Sequence, residues 1–203
     1  MALIAKEKSG AGFEPIEAGT YPARCSAVVD LGVQVTEYKG QRKEQEKVMF
    51  IFELPTERIM TENGEKPRLI SARYTVSLSE RATLRSVLNA WRGKPFTAEE
   101  LNGFNLASVV NAPCMLTISH TISNGNTYAN VSGVSKAMKG MEVPALDGEP
   151  IVFDMGADNA EITKAKLPQW VQDVIEKSPT WNGNAAGKAT FEEVDGEDDE
   201  LPF

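Results

Sequence analysis

Few side chains in this 203-residue sequence could make or break a covalent bond. One histidine, His120, and two cysteines, Cys25 and Cys114, leave no histidine-based triad, no multi-histidine metal site and no cysteine-rich cluster. What the sequence does carry is charge beside aromatic rings. Tyr38, Lys39, Arg42, Lys43 and Lys47 fall within ten residues, offset by Glu37, Glu44 and Glu46. Residues 189–203 hold seven carboxylates (Glu192, Glu193, Asp195, Glu197, Asp198, Asp199 and Glu200) and no cation, followed by Leu201-Pro202-Phe203. Cations attract phosphates, rings accept flat π-systems, and an acidic segment reaches basic surfaces over long range. This is the chemistry of binding, and it predicts a protein that is not an enzyme and uses no metal or cofactor.

Two motifs that mimic catalytic sites fail on detail. Gly183-Asn184-Ala185-Ala186-Gly187-Lys188 resembles a phosphate loop, but its glycines are one residue too close and Ala189 stands where a magnesium-binding hydroxyl is needed. Asp30 with Glu37-Tyr38-Lys39 has the residue types of a nuclease, set in a glycine-containing loop that would hold two carboxylates poorly around a metal. His120 reads as a structural histidine at a strand end.

Charge distribution bears on partners. The formal net charge is −8, yet residues 20–140 hold 15 basic and 11 acidic side chains, a net of +4. The acidity is concentrated in the tail, as in segments that stay disordered and serve interaction. With 41% hydrophobic residues and no apolar run near 18 residues, the expectation is a globular chain with no membrane partner. Residues 1–8 lack a secretory apolar stretch, and the cysteine usage suits a reduced, cytoplasmic setting.

The elements that must position these groups follow from periodicity. Residues 1–19 form a lead-in. Tyr21, Ala23, Cys25, Ala27, Val29 and Leu31 alternate as a first strand, and a polar loop spans 36–47. Val48, Phe50, Phe52 and Leu54 mark a second strand that Pro55 stops; Ile70, Ala72, Tyr74, Val76 and Leu78 mark a third. Ser79 is placed to cap a helix over 80–91, whose Leu84, Val87, Leu88 and Trp91 share one face. Thr97 and Glu100 have capping-box spacing. Strands resume at Cys114–Ile118 and 127–134, joined by Asn124-Gly125. Residues 141–181 read as a connector and a C-terminal helix opened by Pro168, with Leu167, Trp170, Val171, Val174 and Ile175 as its packing stripe. Residues 182–203 are a flexible linker and acidic tail.

Five strands with a helix between the third and fourth make a mainly β chain with the order of an OB-fold-like five-stranded barrel over residues 20–140. The end of the chain makes the comparison more specific. Asp198-Asp199-Glu200-Leu201-Pro202-Phe203 closely resembles the terminal peptide of bacterial single-stranded DNA-binding proteins. The chain as a whole resembles the single-stranded DNA-binding proteins of bacteriophages more than the bacterial protein, being longer than a minimal OB domain and lacking a Gln- and Gly-rich spacer. The resemblance implies a protein that coats single-stranded DNA during phage replication or recombination in the cytoplasm of an infected bacterium. It also implies that residues 198–203 recruit replication and repair enzymes. An alternative is a tail-mediated interaction protein that imitates the host tail without binding DNA. The oligomeric state stays open, a homo-oligomer included.

On this reading the DNA contacts are Tyr38, Lys39, Arg42, Lys43 and Lys47 from the loop joining the first two strands, which borders the ligand face of OB-folds. If Cys25, Phe50, Phe52, Tyr74 and Leu116 face the core, alternation sets Arg24, Arg73, Thr117, Ser119, Tyr128 and Asn130 on the other face. Arg24, Arg73 and Tyr128 join the expected groove; Lys94, Lys136 and Lys139 are secondary, and Tyr74, Trp91 and Trp170 are assigned to packing.

Overall fold

The computed structural model describes residues 14–38, 41–62 and 64–181. The chain is mainly β. Strands β1 (Gly19–Tyr38), β2 (Gln41–Thr61) and β3 (Gly64–Thr75) come first. They are followed by helix α1 (Thr83–Arg92), the short helix α2 (Ala98–Leu101) and a 3-10 turn over Leu106–Val109. Then come β4 (Pro113–Ser123), β5 (Asn126–Lys136), β6 (Ile151–Phe153), α3 (Ala160–Lys164) and α4 (Gln169–Glu176). The sheet order is β3-β2-β1-β4-β5, all antiparallel, with β6 added in parallel to β1. Among the described residues no helix is long and apolar enough to cross a membrane.

β1 holds the sheet together by changing partner along its length. Residues 19–24 pair with β4, and from Arg24 onward the strand pairs with β2, with register shifts at Cys25/Ala27 and Asp30/Gly32. Each shift adds a residue to one strand, which bends it and sharpens its twist. Gly32 is required at the second shift: its φ is +58°, and a Cβ there would lie 2.7 Å from Ser178 Oγ and 2.8 Å from Met155 Sδ.

Two cores sit on opposite faces of this sheet. On the inner face, Cys25, Phe50, Phe52, Tyr74 and Leu116 pack together under Leu84, Leu88 and Trp91 of α1, in the phase expected from alternation. Phe50 lies 5.6 Å from Tyr74 and 5.9 Å from Trp91 between ring centroids, and the Trp91 indole donates to the Pro113 carbonyl at 3.0 Å. On the outer face, Val29, Leu31, Met49 and Ile51 are covered by Phe153, Leu167, Val171 and Ile175. Residues 141–181 therefore pack on the sheet of their own chain. Because β2 is buried on both faces over residues 48–54, its run Val48-Met49-Phe50-Ile51-Phe52 is apolar at every position.

Three expectations about local structure change. Residues 36–47 are not a loop: β1 and β2 continue as a paired ribbon, with Thr36 opposite Lys43 and Tyr38 opposite Gln41. β-branched Val33, Val35 and Thr36 supply strand propensity there, and Glu37 stands opposite Arg42. Pro55 does not stop β2. The ladder slips between Leu54 and Arg58 around the missing N–H and resumes to Thr61. The cap of α1 is Ala82, without a side-chain bond, because Ser79 is spent in a turn that donates Ala82 N–H to its carbonyl at 3.1 Å. His120 follows the inward phase but stands beyond the covered sheet, exposed, with Nε2 2.7 Å from the Ile16 carbonyl oxygen. The capping box at Thr97 and Glu100 forms as the spacing predicts.

Candidate nucleic-acid interface

Strand alternation sorts the ribbon charges. β2 pairs regularly from residue 41 to 54, so Lys43, Gln45, Lys47, Met49 and Ile51 share the outer face, and Arg42, Glu44 and Glu46 lie on the other. Directly opposite residues share a face, which adds Gln34 and Thr36 to the lysine side and Glu37 to the glutamate side. Among the described residues of the ribbon, Lys43 and Lys47 lie on one side, and Glu37, Glu44, Glu46 and Arg42 on the other. Arg42 is paired with Glu44 at 2.7 Å. Lys47 Nζ donates to Thr75 Oγ1 at 2.7 Å, which fixes its stem along the sheet.

The same face continues onto β3. Met49 pairs with Arg73, Ile51 with Ser71 and Glu53 with Leu69, so Leu69, Ser71 and Arg73 lie on the side of Lys43 and Lys47. Arg73 has no ion pair among the described residues, and desolvation by its surroundings holds its guanidinium below the usual pKa. A cation with its water partly removed and no carboxylate partner is poised to take an incoming phosphate.

At the far side β5 and α4 close the face into a groove of about 420 Å³, lined by Ile51, Leu69, Ser71, Ala129, Asn130 and Trp170, with Ile70 at its base. Tyr128 lies two residues before Asn130 on the same face of β5, about 7 Å along the strand, and is 49% exposed. Trp170 is 45% exposed and Leu69 50%. The groove therefore offers one open aromatic ring, Trp170, with apolar side chains and small polar groups, while Tyr128 stands further along β5 and Arg73 two residues beyond Ser71 on β3.

Not every expected contact reaches this face. Arg24 stands opposite Glu53, at the end covered by the connector. It donates through Nε to the Pro144 carbonyl at 2.9 Å, through Nη1 to Asn111 at 2.7 Å and through Nη2 to Val143 at 2.7 Å. Two of these three carbonyls, Val143 and Pro144, belong to the connector, so Arg24 is the clamp that seats it against the turn before β4, not a groove cation. Arg42 belongs to the acidic side of the ribbon. Tyr38 pairs through its backbone with Gln41, and its side chain, Lys39 and the tail residues Asp198–Phe203 lie outside the described residues. Tyr74 and Trp91 are core, as assigned. Lys94 and Lys136 line a separate pocket beside α1.

The sequence pattern assigns Trp170 to packing, whereas the ring is 45% exposed and lines the groove. At 100° per residue, Leu167, Val171, Val174 and Ile175 cluster around one direction, and Trp170 falls about 90° from its centre. That offset marks a flank position, where a large ring covers a groove edge instead of filling the core. Among the described residues no group of His, Cys, Asp and Glu side chains is arranged to hold a metal ion. No protein-family model matches the chain, and no curated protein matches it.

Proposed function

We propose that this protein binds single-stranded DNA, in the manner of the bacteriophage single-stranded DNA-binding proteins that its sequence resembles. The observation that carries the reading is the shared outer face: Lys43, Lys47 and Arg73 lie on it, with a groove lined by Trp170 and with Tyr128 further along β5. Phosphates track the cations while bases stack on the rings, which is a sequence-tolerant mode because every base has a π-face. Few groove side chains could read a base edge, and single strands, unlike duplexes, expose base faces to rings. The strand order, with β3 and β5 both lining the groove, supports an OB-like barrel as the finer description of the fold. The protein coats strands opened during phage replication or recombination, and residues 198–203 draw in enzymes acting on them. It is a binding protein, not an enzyme.

Fluorescence anisotropy with labelled oligo-dT and a duplex of equal length tests this directly. Oligo-dT should bind more tightly, with log K falling linearly in log salt by about 0.7 per phosphate neutralised. Equal or tighter duplex binding overturns the reading. Binding to neither, together with capture of enzymes that recognise bacterial single-strand-binding-protein tails, would establish the tail-mimic alternative instead.

A further inference from the structure

We infer that a second pocket, about 20 Å along β5 from the groove, holds the acidic segment Glu197–Phe203 of the same molecule. The pocket lies where the end of α1 meets the start of β4 and the end of β5, and its volume is about 400 Å³. Trp91, Phe104, Val109 and Pro113 give it apolar walls, and Arg92, Lys94 and Lys136 bring cations to it.

The cations are held in place. The Arg92 guanidinium sits 4.4 Å from the centre of the Phe96 ring and 4.9 Å from that of Phe104, with Nη2 paired to Glu100. Its Nη1 is closed from solvent with no hydrogen-bond partner among the described residues. Lys94 Nζ lies 3.8 Å from the same Glu100, so one carboxylate serves two cations. Lys136 has no ion pair among the described residues. Its stem crosses Gly93, where a Cβ would meet Lys136 Cδ at 2.8 Å and where φ is +69°. Three cations against one acid leave this pocket a net excess of two positive charges.

Such a pocket selects a ligand with an apolar group to bury and negative charge to set beside it. A nucleobase fits poorly: Ser108 is the one uncharged polar side chain in the lining, and the Pro113 carbonyl already accepts from Trp91 at 3.0 Å. The chain itself carries the complement in Glu197, Asp198, Asp199 and Glu200 followed by Leu201, Pro202 and Phe203. Phe203 lies 22 residues beyond Trp181. That length spans up to about 70 Å extended, against a radius of gyration of about 17 Å for a compact chain of this size. Tethering supplies an effective concentration near the millimolar range. The consequence is regulatory: the segment is withheld from other proteins until one outcompetes this pocket, while the DNA face stays free. The inference does not depend on DNA binding.

The test uses the full chain carrying Phe203→benzoylphenylalanine, irradiated at low concentration, with cross-links mapped by mass spectrometry. Expected are intramolecular cross-links to the segments 91–113 and 136–137. A Lys94→Glu, Lys136→Glu double variant should reduce them about tenfold, the loss of two weak ion pairs plus repulsion. Asp198→Asn, Asp199→Asn, Glu200→Gln should do the same without altering residues 14–181. Cross-links concentrated on Leu69, Asn130 and Trp170, cross-linked dimers, or a yield indifferent to both charge changes would overturn the inference. Oligo-dT affinity of the lysine variant, measured alongside, should be unchanged. A fall in that affinity with cross-links intact assigns these lysines to DNA and removes them from the tail.

Discussion

The two faces of β2 are built from neighbouring residues and end in opposite conditions. Val48, Phe50, Phe52 and Leu54 are sealed under α1, with aromatic rings interlocked and no charge among them. Met49 and Ile51 are equally buried, but by a short strand and a two-turn helix that cover only the middle of the outer face. Beyond that cover, Lys43 and Lys47 emerge at one end and Leu69, Arg73 and Trp170 remain open beside it. Over residues 48–54 the inner face is complete and has no surface left to offer. The outer face is stabilised only as far as its cover extends, and the uncovered margins are where charge and rings accumulate. Burial at the centre and exposed charge at the edge are compatible on one strand because successive side chains point to opposite sides.

The largest test of this contrast removes one ring from each face. Phe50→Ala empties the inner aromatic cluster and should cost about 3–5 kcal/mol of folding stability, read as a shifted denaturation midpoint with any loss of DNA binding secondary to unfolding. Trp170→Ala should leave the midpoint nearly unchanged and weaken oligo-dT binding by about 1–3 kcal/mol. If Trp170→Ala instead unfolds the protein with affinity per folded molecule intact, that ring is part of the cover and the groove lacks its stacking platform.

What the sequence made legible is set by how local the signal is. The inner phase of Cys25, Phe50, Phe52, Tyr74 and Leu116 is visible because period-two alternation is a property of each strand alone. The capping box at Thr97 and Glu100 and the hairpin at Asn124-Gly125 are equally local. The ribbon over residues 36–47 was hidden because its stability comes from pairing across the strands, and polar residues with alternating charge look like a loop until their partners are known. Arg24 was misread for the same reason: the carbonyls of Asn111, Val143 and Pro144 are distant in sequence, and nothing near residue 24 announces them. Met49 and Ile51 were the available hint of a second core, an apolar filling of the positions that alternation would have left polar.

A smaller effect separates the two sides of the ribbon. Lys43 lies on the outer face with no ion pair among the described residues, and Arg42, its neighbour in sequence, faces Glu37 and pairs with Glu44. Lys43→Ala should weaken oligo-dT binding and flatten the salt dependence by about 0.7, the slope of one phosphate contact on a single strand. Arg42→Ala should leave the slope where it was. Equal losses from both would mean that DNA wraps the ribbon and that the sorting of charge by face does not govern contact.

The smallest effect concerns the one carboxylate buried on the outer face of β2. Glu53 is 5% exposed and accepts the Asp147 amide at 3.0 Å. Burial raises its pKa, repulsion from the Asp147 carboxylate adds to this, and the amide bond and the nearby Arg58 guanidinium oppose it. With the folded pKa above the unfolded one, the folded state holds the extra proton in the window between them. The contribution of Glu53 to stability is therefore full below the ordinary carboxylate range and is lost as pH rises through the raised folded value. Asp30, half-buried near Asp154, shifts the same way, so the effect of Glu53 must be taken by difference. Urea midpoints of the native chain and of Glu53→Gln, measured from about pH 4 to pH 7, isolate it. The native chain should lose ground to the variant as pH rises. If it gains instead, the Arg58–Asp147 pair, 3.0 Å apart, compensates the buried charge more fully than burial penalises it, and the outer face tolerates charge beneath its cover as well as at its margins.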